Sequence, residues 1–538
     1  MPNALAFLVL FSWPVAVYLL FRYLPRVEAL CWSILGGYLL LPSRTGFDLP
    51  LVPAVDKDVV PALTAALLLA CGVGMTEAEK AAKRDARRFG GRGDTGHGAP
   101  MFGPFAPLIV LLILSPVVTV LTNSEPLFYG PVMLPGLSLH DAFSVIMRMV
   151  LTALPFLLAM RYLASPESHA LLLKVIVAAL LIYSLPVLFE VRMSPQLNVM
   201  FYGFFPHDFL QHIRPGGFRP VVFLQHGLWL ALILCMAVIA AAALWRQRMS
   251  EGARSGQWFF AGVYLLIVLL LSNSLGAFVI ALLLAPAALL LGVRPQLLIA
   301  GVIAAVVLIY PVLRSSGLVP TEQVVAMAER VSAERAASLQ FRLDNEDALS
   351  ARAALKPIAG WGLWGRNEIF DPETGRTLSV TDGAWIIVIG AFGWLGYIAQ
   401  FGLLTMPTLL LAFGRKAASA TPATAGLALV LAANLMDLLP NATLTPVTWL
   451  LGGAIAGYYL YRAPQEQPEG TAGADPALVR PRRSWGILTD RPPARPATAP
   501  QAAVSAAAPV QAGGSGGPAW HRSPAGPRAP QPAVQKKG

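Results

Sequence analysis

The feature that most constrains this chain is the recurrence of long apolar runs. The stretch ALAFLVLFSWPVAVYLLF near the N-terminus is apolar almost throughout, and comparable runs return along most of the 538 residues. A helix needs about 20 apolar residues to cross the hydrocarbon core of a bilayer. These runs lack the period-two alternation of a transmembrane barrel strand. Hydrophobic residues make up 56% of the chain and charged residues only 13%, whereas a soluble domain carries about 25% charged residues. The expectation is therefore an all-α polytopic membrane protein with about thirteen transmembrane helices (12–14). They fall near 4–24, 28–42, 58–74, 104–121, 141–163, 169–189, 220–245, 257–272, 275–292, 296–313, 384–412, 421–438 and 446–461. The first run has no charged region before it and no small-residue cleavage site after it, so it reads as a retained span rather than a signal peptide.

The net charge is +11. Much of it sits in short loops and in the tail, which is topology under the positive-inside rule and implies no nucleic-acid partner. The basic segments 77–93, 246–254 and 414–416 fall on one side if there are thirteen spans. That side is read as cytoplasmic. The N-terminus then lies outside (periplasmic) and the C-terminus inside, and the loops 190–219 and 314–383 face out. The latter begins with a charged helical pattern suited to a membrane surface. From about residue 463 the composition turns to Pro, Ala and Gly, which cannot bury a core. The division is thus a bundle over 1–462 and a disordered cytoplasmic tail over 463–538. Cys31, Cys71 and Cys235 lie in apolar runs and read as packing residues. No cluster has metal-ligand spacing, so no metal and no cofactor is expected.

Candidate chemistry gathers on the outer side. In IRPGGFRPVVFLQHGLWLAL (213–232), Arg214 and Arg219 bracket a Pro-Gly-Gly-Phe turn, with His226 further in. Guanidinium groups beside Gly216 and Gly217 suit phosphate oxygens, because the planar fork makes two charge-assisted bonds at once. The plain alternatives are arginines that snorkel to headgroups and a histidine satisfied within the core. Arg342 is followed by Pro357 and then Gly360-Trp361-Gly362. Trp361 can stack on a sugar face or anchor at the interface. Asp382 stands before a long apolar run, where it can cap a helix or accept a proton from a hydroxyl. Arg148 lies inside a span and needs a partner, with Glu190, Asp437 or a bound anion as candidates. The segment SNSLGAF (272–278) reads as a tight outer turn, and MDLLPNATLTP (436–446) adds Asp437 and Asn441 to the same side.

These segments, over about residues 140 to 460, resemble the O-antigen ligase and O-antigen and exopolysaccharide polymerase superfamily. The spacing Arg342, Pro357, Gly360-Trp361-Gly362 is similar to the family's arginine and Pro-x-x-Gly-x-Gly turn in its large periplasmic loop. Trp385, Gly393 and Gly396 fall where the family has an aromatic and two glycines, and Arg214 to Phe218 looks like its Arg-x-x-Gly-Phe. There are departures. Asp382-Gly383 replaces the family's His-Asn, and Leu275 stands where an arginine is expected. The resemblance implies an inner-membrane glycosyltransferase-type polymerase that joins polyprenyl-diphosphate-linked saccharide units, alongside other polysaccharide assembly proteins as partners. Arg214, Arg219 and Arg342, supported by Arg148, would hold the diphosphate, and Asp382 would serve the acceptor hydroxyl. Ligation of a lipid-linked glycan onto an acceptor, and a non-enzymatic carrier or assembly subunit, are the alternatives.

Overall fold

The computed structural model describes residues 1–49, 52–75, 102–214 and 217–460. The basic segment 77–93, Gly216 and the tail 463–538 lie outside the described residues. A helix occupies each of the thirteen predicted segments: α1 (Ala4–Tyr23), α2 (Arg26–Leu40), α3 (Val60–Ala70), α4 (Ala106–Leu121), α5 (Leu139–Tyr162) and α6 (Pro166–Met193), and, after the short α7 (Leu197–Tyr202), α8 (Gly227–Ser250), α9 (Gly256–Leu271), α10 (Leu275–Leu290) and α11 (Val293–Ser315). Two polar helices follow, α12 (Thr321–Val331) and α13 (Ala333–Ala354), and then α14 (Ala384–Phe413), α15 (Pro422–Asp437) and α16 (Pro446–Leu460). Among the described residues, seven helices are long and apolar enough to cross a membrane: α1, α4 with the turn that leads into it, α5, α6, α8, α11 and α14. This is the composition of a membrane protein.

Local signals account for many of the helix starts. Asn3 accepts the Ala6 N–H, Ser138 and Asp141 form a capping box, and Thr421 accepts the Thr424 N–H ahead of Pro422. At the centre, α8, α15 and α16 are buried along nearly their whole length. There is little hydrophobic drive between helices in lipid, so close packing through small residues takes its place. Gly453 and Gly457 of α16 lie against the Phe156 and Met160 carbonyls of α5, and Gly426 of α15 lies against Ala243 of α8. A Cβ at any of the three would overlap its neighbour. By contrast, α1, α9 and α10 present exposed Leu, Phe and Val side chains, such as Leu8, Phe11, Phe260 and Leu283, the surface that hydrocarbon covers.

Short hairpins not expected from the sequence stand in the connections: β1 (Gly46–Leu49) with β2 (Val52–Asp56), β3 (Leu127–Tyr129) with β4 (Val132–Leu134), and β5 (Ile213–Arg214) with β6 (Gly217–Phe218). The free thiols Cys31 and Cys235 are buried, but Cys71 is exposed just past the end of α3 rather than packed.

Candidate functional site

Two structures shape one end of the bundle. The first is a break in α14. Gly393 has φ +61° in the middle of the helix, a conformation open to glycine and costly for other residues. The segment 357–362 docks into this break. Trp361 N–H donates to Gly390 O (2.8 Å), Gly362 N–H to Ala391 O (2.9 Å), Trp394 N–H to Pro357 O (2.8 Å) and Leu395 N–H to Ile358 O (3.2 Å). Gly360 (φ +68°) lies on the Ala391–Phe392 backbone, and Gly393 on the Ile358–Ala359 backbone. The two glycine motifs singled out from sequence are thus two halves of one contact.

Side chains close this region on itself. Arg366, 1% exposed, donates to the carbonyls of Trp361 (3.1 Å), Pro135 (2.7 Å) and Glu125 (3.0 Å). Lys356 binds Glu125 at 2.6 Å. The Trp361 indole donates to Arg352 O at 2.9 Å, and its ring carries Arg352 at 4.2 Å and Lys356 at 4.7 Å from the centroid. Two cations thus cover the π surface of Trp361 that a sugar face would use.

The second structure is the loop between α6 and α8. The buried Glu190 carboxylate accepts the N–H groups of Leu197 (2.9 Å), Val221 (2.8 Å) and Val222 (2.7 Å). It holds Val222 at φ +55°, a strained setting for a β-branched residue. Glu190 therefore organises the loop that bears Arg214 and Arg219. It is not the partner of Arg148, and neither is Asp437, whose oxygens accept from Asn441 Nδ2 (3.0 Å) and Thr443 Oγ1 (2.7 Å).

On this loop Arg219 lies folded over Gly227. One guanidinium nitrogen donates to Asn273 O at 3.3 Å, in the tight turn between α9 and α10, and the buried Nε has no hydrogen-bond partner. Burial, and behind it the nearby charges of Arg214 and Arg342, push its pKa down to about 10. Two arginines of this loop and one from α13 thus crowd one region. Such crowding favours an anion between them.

Arg342, on α13, faces Asp382 with Nε to Oδ2 at 3.5 Å, both side chains about one-third exposed (37% and 34%). Its Nη1 reaches Pro440 O (3.3 Å) and Asn441 Oδ1 (3.5 Å). Asn345 accepts the Val380 N–H at 2.8 Å and so ties the segment before Asp382 to the helix that carries Arg342. Asp382 does not cap α14: the residue at the cap is Gly383, without a side-chain bond, and the Ala384 N–H is taken by Leu438 O (3.0 Å) and Asn441 O (3.2 Å). A partly exposed carboxylate beside a guanidinium can accept a proton or a hydrogen bond from a hydroxyl.

His226 is satisfied locally, as the plainer sequence reading allowed. It caps α8, its Nδ1 accepting the Leu228 N–H at 3.1 Å. His207 and His212 lie with ring centroids 4.8 and 4.6 Å away. Burial first, then the neighbouring histidines and arginines, push His226 down to about 3 and His212 to about 4. Both are neutral at physiological pH and add no positive charge to the anion region. Arg148 is not brought to the three arginines by any described contact. It lies within electrostatic reach of Asp58 and lines a separate cavity. Among the described residues, no group of three or more His, Cys, Asp or Glu could hold a metal ion.

Sequence reasoning did not assign the Glu190 staple or the Asp437–Asn441–Thr443 network behind Arg342. The only signal for the latter was the polar run after α15. No family model matches the chain. No curated protein matches it either.

Proposed function

We propose that this chain is an inner-membrane glycosyltransferase-type polymerase with about thirteen spans, the large helical loop 314–383 facing the periplasm, acting on polyprenyl-diphosphate-linked saccharide units. The observation that carries the reading is the crowding of Arg214, Arg219 and Arg342 beside the accessible Arg342–Asp382 pair. A diphosphate leaving group is already a stable anion and needs positive groups more than a proton. The acceptor hydroxyl oxygen attacks the anomeric carbon, the bond from that carbon to the phosphate oxygen breaks with its electron pair going to the diphosphate, and the hydroxyl proton passes to Asp382. The three arginines hold the departing charge. The Asp437 network, through Asn441, sets the angle of Arg342.

The test is deletion of the gene, with analysis of surface and secreted polysaccharide and complementation by Arg219→Ala. Loss of long polymer with single repeats retained, and no rescue by a well-inserted Arg219→Ala protein, supports the polymerase. Intact lipid-linked polymer that never reaches its acceptor assigns a ligase instead. Unchanged polysaccharide overturns both.

A further inference from the structure

A second polar site lies apart from the arginine cluster. A cavity of about 170 Å³ opens between α4, α5, α14 and α16, and Leu363, the residue that follows the docked segment, forms part of its wall. Arg148, Thr152, Gln400 and Trp449 line it together with apolar residues that include Met149 and Phe392. Gln400 is 8% exposed and Trp449 2% exposed. The buried Trp449 indole nitrogen has no hydrogen-bond partner among the described residues. Arg148 is in no described ion pair, although Asp58 stands within electrostatic reach.

A buried donor without a partner is costly in the interior of a bundle, and the Trp449 indole, with the buried Gln400 amide, the half-buried Thr152 and the exposed Arg148 at the rim, gives this cavity a polar lining that a ligand can complete. We infer that this cavity binds an acidic sugar unit, its carboxylate on Arg148 and its hydroxyls on Gln400 and Thr152. One guanidinium matches one carboxylate through two parallel bonds, whereas a diphosphate calls for the several cations found only at the other site. The size agrees: pockets for drug-sized ligands run to about 300–1,000 Å³, and this one has room for a single ring. The apolar wall formed by Met149, Leu363 and Phe392 suits the C–H face of a pyranose. The sugar class rests on the reading of the chain as a saccharide-handling enzyme, but the binding itself needs no turnover.

The experiment is calorimetric titration of the purified full chain in nanodiscs with galacturonate, galactose and inorganic phosphate. Saturable galacturonate binding is expected, at least tenfold tighter than galactose, retained in Arg219→Ala, and weakened at least tenfold in both Arg148→Gln and Gln400→Leu at matched thermal stability. Gln400→Leu keeps the test open if Arg148→Gln does not fold. Equal binding of galactose, equal binding in either cavity variant, or phosphate alone binding at the Arg148 site overturns the inference, as does no saturable binding, which leaves a hydrated cavity only. Galacturonate binding that survives in an Arg219→Ala protein without polymer activity separates this site from the arginine cluster.

Discussion

Arg366 and Arg219 are both arginines at the same end of the helix bundle, and their surroundings are opposite. Arg366 spends three guanidinium nitrogens on three carbonyls, while its neighbours Lys356 and Arg352 cover Trp361 and bind Glu125 and Tyr129. Arg219 holds one carbonyl at 3.3 Å, leaves its Nε without a partner and stands near two further cations. In the first region the guanidinium is fully spent on carbonyls; in the second, three arginines share one described carboxylate, Asp382, which faces Arg342. Cationic residues alone therefore do not mark a site. A cluster of cations beside an accessible carboxylate is a better mark.

The comparison breaks most severely at the closed region. Gly360→Val places a side chain onto the Ala391 backbone at a φ of +68°. Overpacking and backbone strain together cost on the order of 3–5 kcal/mol. The expected outcome is loss of monodisperse protein on size exclusion; a well-folded variant would show that the docking is not structural. Arg219→Ala tests the open region. It should leave thermal stability nearly unchanged and lower polymer-forming activity ten- to a hundredfold, since charge-assisted bonds are worth about 1.5–3 kcal/mol each. Arg219→Lys should rescue only in part, because it loses the fork.

Asp382→Asn should be folded and largely inactive, and Asp382→His should keep some activity. Full activity in Asp382→Asn at equal membrane abundance would remove the proton-accepting role. Because Asp382 makes no cap in the structure, the variant's melting temperature should stay close to wild type, a result a capping role would not give.

The histidines give a smaller effect. His226 and His212 have folded pKa values of about 3 and about 4, below the unfolded value of about 6.5. Between these limits the unfolded chain binds more protons than the folded one, so stability is full above about pH 6.5 and is lost as pH falls toward 4. The limiting slope is about 1.4 kcal/mol per pH unit for each group. His226→Asn, which still supplies a cap, should flatten the melting-temperature profile over this window; an unchanged profile would place the titration elsewhere. The smallest effect belongs to Glu125→Gln, where the ion pair with Lys356 is half-exposed (49% on the Glu125 side). Such pairs contribute about 0–1 kcal/mol, and a larger loss in thermal melts would mean that Glu125 does more than pair.

The helices were legible because run length and apolarity need no partner to be read. The α12–α13 pair was legible from its charged helical pattern. The hairpins at 46–56 and 127–134 were not, being too short and mixed to alternate visibly. At the site, the arginines and Asp382 could be chosen by residue type and position, but their pairing could not. Arg342 and Asp382 are positioned by hydrogen bonds that Asn441 and Asn345 accept, from Arg342 and from the Val380 N–H, and no sequence period links those positions. For Trp361 and His226 the sequence left two readings open for one reason: an aromatic or imidazole near a ligand and one satisfied by its own fold look alike until their neighbours are known.

The docking of 357–362 into the break of α14 bears on how a protein of this kind changes over generations. Four bonds between main-chain groups hold the contact, and main-chain groups are the same in every residue except proline. Substitution can therefore rewrite the side chains at Ile358 and Ala359 while the joint persists. Gly360 and Gly393 resist, since each lies against backbone at positive φ. A lineage that drifts under these constraints keeps its shape and loses its text, until two glycines at the right separation are most of what is left to read.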